Sequence, residues 1–190
     1  MRDASGVISA LAENLTDQAI AAAVPEMAPA EVREVLGQVA SSLGSPEPVV
    51  KRNAPAGTRA ILYTDGASRG NPGQAAAGAS LVGPDGGELL AGRWYLGQMT
   101  NNAAEYLALI HGLTETSKLA VRELEVRMDS ELVVRQLTGV YRVKDPQLKK
   151  YHAQVMELLA GFGKVRIRHV PRAENRRADE LANQALDARG

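Results

Sequence analysis

Beyond residue 58 the hydrophobic residues of this chain switch repeatedly between short apolar runs and a helical period, an alternation that admits few folds. Ala60-Ile61-Leu62-Tyr63-Thr64 is a run rich in strand formers, closed by Asp65-Gly66. After a Gly-rich loop come strand candidates at 77–82 and 88–96, joined by Gly83-Pro84-Asp85-Gly86-Gly87, turn chemistry that marks a hairpin. Thr100-Asn101-Asn102 supplies N-cap side chains for a helix over 103–119. Residues 124–128 form another strand, and Ser130 opens a helix to about Leu137. Asp145-Pro146 sets a cap and a first-turn proline, with Leu148, Tyr151, Val155, Leu158 and Leu159 as the apolar stripe behind them. Val165 and Ile167 alternate with Arg166 and Arg168 in a fifth strand, and a last helix runs from about Ala173 to Ala188. A hairpin-led sheet followed by crossovers predicts an α/β layer architecture with mixed strand directions.

The first 44 residues have another character. Val7, Ile8, Leu11 and Leu15 fall at helical spacing, as do Val32, Val35, Leu36 and Val39, with Pro25 and Pro29 between them. Residues 45–58 hold three prolines and almost no periodicity, which reads as a linker. The expected organisation is a small helical segment at 1–44, a linker at 45–58 and one larger domain at 59–190. Formal net charge is zero, from 22 basic and 22 acidic residues, yet residues 1–57 carry 4 basic and 7 acidic groups, so the two parts have opposite sign. The absence of cysteine removes disulfides and thiolate metal sites, and any metal must be held by oxygen or imidazole. With no run long enough to span a bilayer and no apolar signal core, the expectation is a soluble, cytoplasmic protein with no membrane partner. Aromatic content of 4% leaves few residues for stacking platforms on single-stranded nucleic acid.

Four acids stand where a carboxylate is awkward without a role. Asp65 and Asp129 each follow directly on an apolar strand. On adjacent parallel strands the two would lie side by side and repel, a conflict that a cation resolves. Glu105 lies on the first turn of one helix and Asp179 within another, so all four can converge if both helices pack toward the strand ends. An oxygen-only set favours Mg²⁺ or Mn²⁺ over zinc, and two such ions suit phosphodiester cleavage. Taken singly, each acid also reads as a cap or a solvated residue, Asp129 before Ser130 above all.

The local strings go further. Residues 63–73 (YTDGASRGNPG), Thr100-Asn101-Asn102-Ala103-Ala104-Glu105, Met128-Asp129-Ser130 and residues 174–182 (ENRRADELA) resemble the ribonuclease H type 1 family in order and spacing. The likeness covers about 59–188, in a short form without the basic insertion that some members carry. It implies a five-stranded mixed sheet flanked by helices, and hydrolysis of the RNA strand of RNA–DNA hybrids, leaving 3′-hydroxyl and 5′-phosphate ends. It also implies two divalent ions held by Asp65, Glu105, Asp129 and Asp179, and a hybrid groove along Asn71, Thr100, Asn101 and Asn102. The residues agree with this: the Gly70-Asn71-Pro72-Gly73 turn lets backbone approach a strand closely, and the two Asn amides suit 2′-hydroxyls and minor-groove base edges.

Two departures matter. The family commonly carries a mobile His near the metals; counting back from Asp179 selects His169, whereas anchoring on the end of the fifth strand leaves the loop short and makes Arg172 the nearest candidate, a phosphate contact rather than a base. Between the third acid and the last strand stands only a short loop with Arg142 and Lys144, so Lys149, Lys150, Arg166, Arg168, Arg172, Arg176 and Arg177 are left as possible phosphate contacts. The rival readings are a catalytically weak hybrid-binding protein of the same fold and a nuclease of this fold acting on DNA or double-stranded RNA. No motif assigns the N-terminal segment a partner.

Overall fold

The computed structural model describes Ile8 and residues 15–43, 50–51 and 58–188, and the chain divides into two compact units, Met1–Pro46 and Glu47–Gly190. The first unit contains α1 (Asp17–Ala23) and α2 (Pro29–Leu43). Thr16 caps α1 by accepting from the Ala19 N–H at 3.2 Å, and Pro29 opens α2 where a missing N–H costs nothing. Arg33 ties the pair, donating to Asp17 and to the Leu15 carbonyl, each at 2.6 Å. Of the expected first helix, Val7 and Leu11 lie outside the described residues.

The second unit runs β1 (Val50–Lys51), β2 (Thr58–Gly70), β3 (Gly73–Val82), β4 (Glu88–Met99), α3 (Asn101–Ser117), β5 (Val121–Met128), α4 (Glu131–Leu137), α5 (Pro146–Ala160), β6 (Lys164–His169), a 3₁₀ turn (Arg172–Glu174) and α6 (Arg176–Asp187). The strand order is β1-β4-β3-β2-β5-β6; β2, β3 and β4 are antiparallel neighbours, and β5 and β6 run parallel to β2. The expected five strands form the mixed sheet. An additional two-residue edge strand, β1, pairs with Leu90 and Ala91 and lies inside the stretch read as linker.

One expectation is corrected. The strand read over residues 60–64 continues to Gly70 instead of giving way to a loop, because Ala67, Ser68 and Arg69 find ladder partners in Ala76, Ala75 and Gln74 of β3. Asp65 is therefore in the middle of a thirteen-residue strand.

The sheet's two faces are covered unequally. On one, α3, α4 and α5 close a core of Leu62, Leu81, Tyr106, Leu109, Leu113, Val126 and Met128, each fully buried. At roughly 1.5–3 kcal/mol for each large apolar side chain removed from water, this face supplies most of the unit's cohesion. On the other, α6 packs over β2, β3 and β4 through Ala178, Leu181, Ala182, Ala185 and Leu186.

Candidate active site

The parallel pairing of β2 with β5 sets Tyr63 opposite Arg127, so Asp65 and Asp129 stand at corresponding positions two residues further on. Two glycines bring the helices to them. A Cβ on Gly66 would lie 2.2 Å from the Glu105 nitrogen, so the first turn of α3 sits directly on β2, and the Glu105 carboxylate accepts the Gly66 N–H at 3.3 Å. Gly78, the cross-strand partner of Asp65, plays the same part for α6: a Cβ there would lie 2.1 Å from the Ala178 carbonyl oxygen. Asp179, next in the chain, is thereby held beside the strand acids, close enough that its charge raises the Asp65 pKa.

The cluster is electrostatically loaded. Burial pushes Asp65 up to about 7, reinforced by Asp129 and then Asp179, while Arg172 opposes the shift. Glu105 is raised well above the usual carboxylate range, first by burial and then by Asp65 and Asp129, with the Gly66 N–H pulling the other way. Neighbouring negative charge thus favours the protonated forms of Asp65 and Glu105, an effect that a bound cation would reverse.

Asn175 falls within the last of the four motif strings, but the sequence reading gives it no role of its own. It is fully buried, and its amide donates to Asp129 Oδ1 at 2.7 Å and to the Thr64 carbonyl at 3.0 Å, joining β2, β5 and the start of α6. Its Oδ1 and the Thr64 hydroxyl are buried without a hydrogen-bond partner. The one signal is its place at the N-cap of α6, where an exposed Asn would bond the helix; here no such cap bond forms and the side chain turns inward.

His169 is the last residue of β6, paired with Met128, and its Nε2 lies 3.2 Å from the Asp129 carbonyl oxygen. Arg172, on the 3₁₀ turn, donates to Asp179 Oδ1 at 2.6 Å. At the other side, Asn71 Oδ1 accepts the Asn101 N–H at 3.2 Å, bringing the β2–β3 turn to the N-terminus of α3. Thr100 Oγ1 caps that helix by accepting from Ala103, and Asn101 and Asn102 are exposed.

As a donor set, four carboxylates with two raised by burial suit a hard divalent cation. In this side-chain arrangement, with Asp179 engaged by Arg172 and Asp129 by Asn175, no group of three or more His, Asp or Glu among the described residues is arranged to hold a metal ion. No helix among the described residues is long and apolar enough to cross a membrane.

A family model described as reverse transcriptase-like matches residues 63–185. Ribonuclease HI of Halobacterium salinarum is 50% identical over 131 residues, which are 69% of this chain and 66% of that protein. Its solved structure matches 68% of this chain and 98% of that one, with a TM-score of 0.67. The bifunctional protein Rv2228c of Mycobacterium tuberculosis is 44% identical over 131 residues, 68% of this chain but 36% of that protein. LC11-RNase H1, whose structure was solved in complex with an RNA/DNA hybrid, is 44% identical, covers 68% of this chain and 98% of its own, and has a TM-score of 0.65. With this extent of likeness and four acids brought together from β2, α3, the residue after β5 and α6, the chain belongs to the ribonuclease H type 1 family.

Proposed function

We propose that this protein cleaves the RNA strand of RNA–DNA hybrids endonucleolytically, leaving 3′-hydroxyl and 5′-phosphate ends, in the cytoplasm and with two Mg²⁺ or Mn²⁺ ions. The observation that carries the reading is the convergence of Asp65, Glu105, Asp129 and Asp179 on one another beside the C-terminal end of β5, in a chain 50% identical to a ribonuclease HI. These acids are the proposed metal ligands. Bound there, the ions would activate water and stabilise the leaving oxygen.

The chain's own residues set the geometry. Asp65 projects from a paired strand and Asp129 from the residue that follows β5, where the Asn175 amide holds its carboxylate. Glu105 and Asp179 are positioned by the close approaches at Gly66 and Gly78. Asn71, Thr100, Asn101 and Asn102 are the proposed hybrid contacts: the exposed amides of Asn101 and Asn102 are free to meet the minor groove, where a 2′-hydroxyl distinguishes RNA. Arg172 is proposed to leave Asp179 for a substrate phosphate when the ions bind, since a guanidinium pairs with phosphate as readily as with carboxylate. His169, in its strand position, is the less suitable auxiliary.

The Arg172–Asp179 bond also favours one alternative, a catalytically weak hybrid-binding protein of the same fold. Cleavage of hybrid by the unmodified chain separates the two, and Asp65→Asn, which keeps shape and removes charge, ties that cleavage to the acids. Metal-dependent cleavage is expected to vanish with the fold intact; full activity in that variant would remove Asp65 from the site.

A further inference from the structure

We infer that the face of the sheet left uncovered by α6 is a second nucleic-acid surface, one that holds phosphodiester backbone outside the cleavage site. The register of three adjacent strands builds it in rows: Arg59 beside Glu123 beside Lys164, then Ile61, Glu125 and Arg166, then Tyr63, Arg127 and Arg168. Directly opposed residues share a face. Val165 and Ile167 alternate with these basic residues and pack on the opposite, helix-covered core.

This surface carries five cations against two carboxylates. Its polar heads are open to solvent, with side-chain exposures of 60% for Arg59, 57% for Lys164 and 63% for Arg168, and Arg166 is exposed as well. Glu125 is only 5% exposed. It accepts from Arg127 at 2.8 Å and faces Arg59 at 3.7 Å and Arg168 at 3.6 Å, so one buried anion orients three guanidinium groups. Arg127 is fixed further by the Tyr63 hydroxyl at 2.8 Å and lies over its ring. A guanidinium ordered in advance loses less freedom on taking a phosphate, and its fork matches phosphate oxygens.

Continuity decides the occupant. Tyr63 stands two residues before Asp65 on β2, and Arg127 two residues before Asp129, which follows the end of β5; at about 3.3 Å per residue the nearest basic row is roughly 7 Å along the strand direction from the acids. The most distant row is about 20 Å away by the same spacing. A polyanion held at the acids has only that distance to cover before it reaches these residues, and nucleic-acid backbone has the required charge and reach. The inference rests on nucleic acid being the substrate class, and its test needs no cleavage.

Binding of a labelled 30-nucleotide single-stranded DNA and of a hybrid of that length to the full chain is measured in chelator over 50–200 mM salt. Arg166→Gln/Arg168→Gln is expected to weaken binding on the order of tenfold and to flatten the dependence of log K on log salt by about 0.7–0.9 for each phosphate no longer neutralised. Glu123→Gln, on the same face, is expected to tighten it, an opposite sign that general loss of fold does not produce. Unchanged affinity and salt slope in the arginine variant would overturn the inference, and so would absence of salt-dependent binding by the unmodified chain, the result expected of a surface made for an acidic protein. Failure of the unmodified chain to cut hybrid in Mg²⁺ or Mn²⁺ is read in a separate assay and bears only on the proposed activity.

Discussion

Asn175 shows how much of the site depends on a residue that need not touch substrate. Its amide serves both Asp129 and the Thr64 carbonyl from a fully buried position. Asn175→Ala would take its donor from the buried Thr64 carbonyl and from the half-buried Asp129 carboxylate, at a cost of about 1–3 kcal/mol in chemical denaturation. The same change frees Asp129, so the rate of hybrid cleavage is expected to fall at temperatures where the variant is still folded; a wild-type rate there would show that Asp129 needs no such anchor. His111 makes a second residue-scale case, remote from the acids. It stacks on Trp94 at 5.0 Å, and burial pushes its pKa down to about 4 from 6.5, partly offset by Glu115. A depressed pKa contributes stability that is complete above about 6.5 and is lost as pH falls toward 4. The fall in unfolding free energy between these limits is expected to shrink by on the order of 2 kcal/mol in His111→Gln. Parallel pH curves for the two proteins would contradict this.

Among the elements, the hairpin, the α5 cap and the strand acids were legible because their signals are local. Asp145 accepts from both Gln147 and Leu148 at the start of α5, as an Asp-Pro pair leads one to expect, and Gly83–Gly87 close the β3–β4 turn through a backbone bond of 2.9 Å. The length of β2 was not legible. Gly66, Ala67 and Ser68 have poor strand propensity, and what holds them extended is pairing with β3 together with two helices that need small residues to approach. The start of α6 was blurred for a like reason: the 3₁₀ turn at Arg172–Glu174 precedes it, and its backbone bonds resemble those of a helix start. The contrast between glycines makes this testable. Gly78→Ala drives a methyl into α6 backbone beside Asp179, for which overpacking suggests a loss of about 1–3 kcal/mol and a drop in activity. Gly37, inside α2 with nothing within 4 Å of an added methyl, should instead gain about 0.5–1 kcal/mol as alanine, mostly in helix propensity. Thermal melts of the two variants should move in opposite directions.

For the whole molecule, the family likeness and the chemistry lie in the second unit, while the family model leaves residues 1–62 unmatched. The solved Halobacterium structure is matched over 98% of its length by 68% of this chain, so the second unit has the content of an independent fold. A chain beginning at Glu47, which keeps the β1 edge strand, is expected to fold cooperatively and to cut hybrid as the full chain does; loss of folding would show that residues 1–46 belong to the core. The opposite charge signs of the two parts were visible in the sequence, but only strand register shows which basic residues share a face and which are scattered over α5 and α6. The decisive experiment is cleavage of a labelled RNA–DNA hybrid by the unmodified chain and by Asp65→Asn, in Mg²⁺, in Mn²⁺ and in chelator, beside single-stranded RNA, double-stranded RNA and double-stranded DNA. Cutting confined to the RNA of the hybrid, and lost both in chelator and in the variant, is the expected result. Binding without cutting in either metal, or a variant as active as the parent, would contradict it.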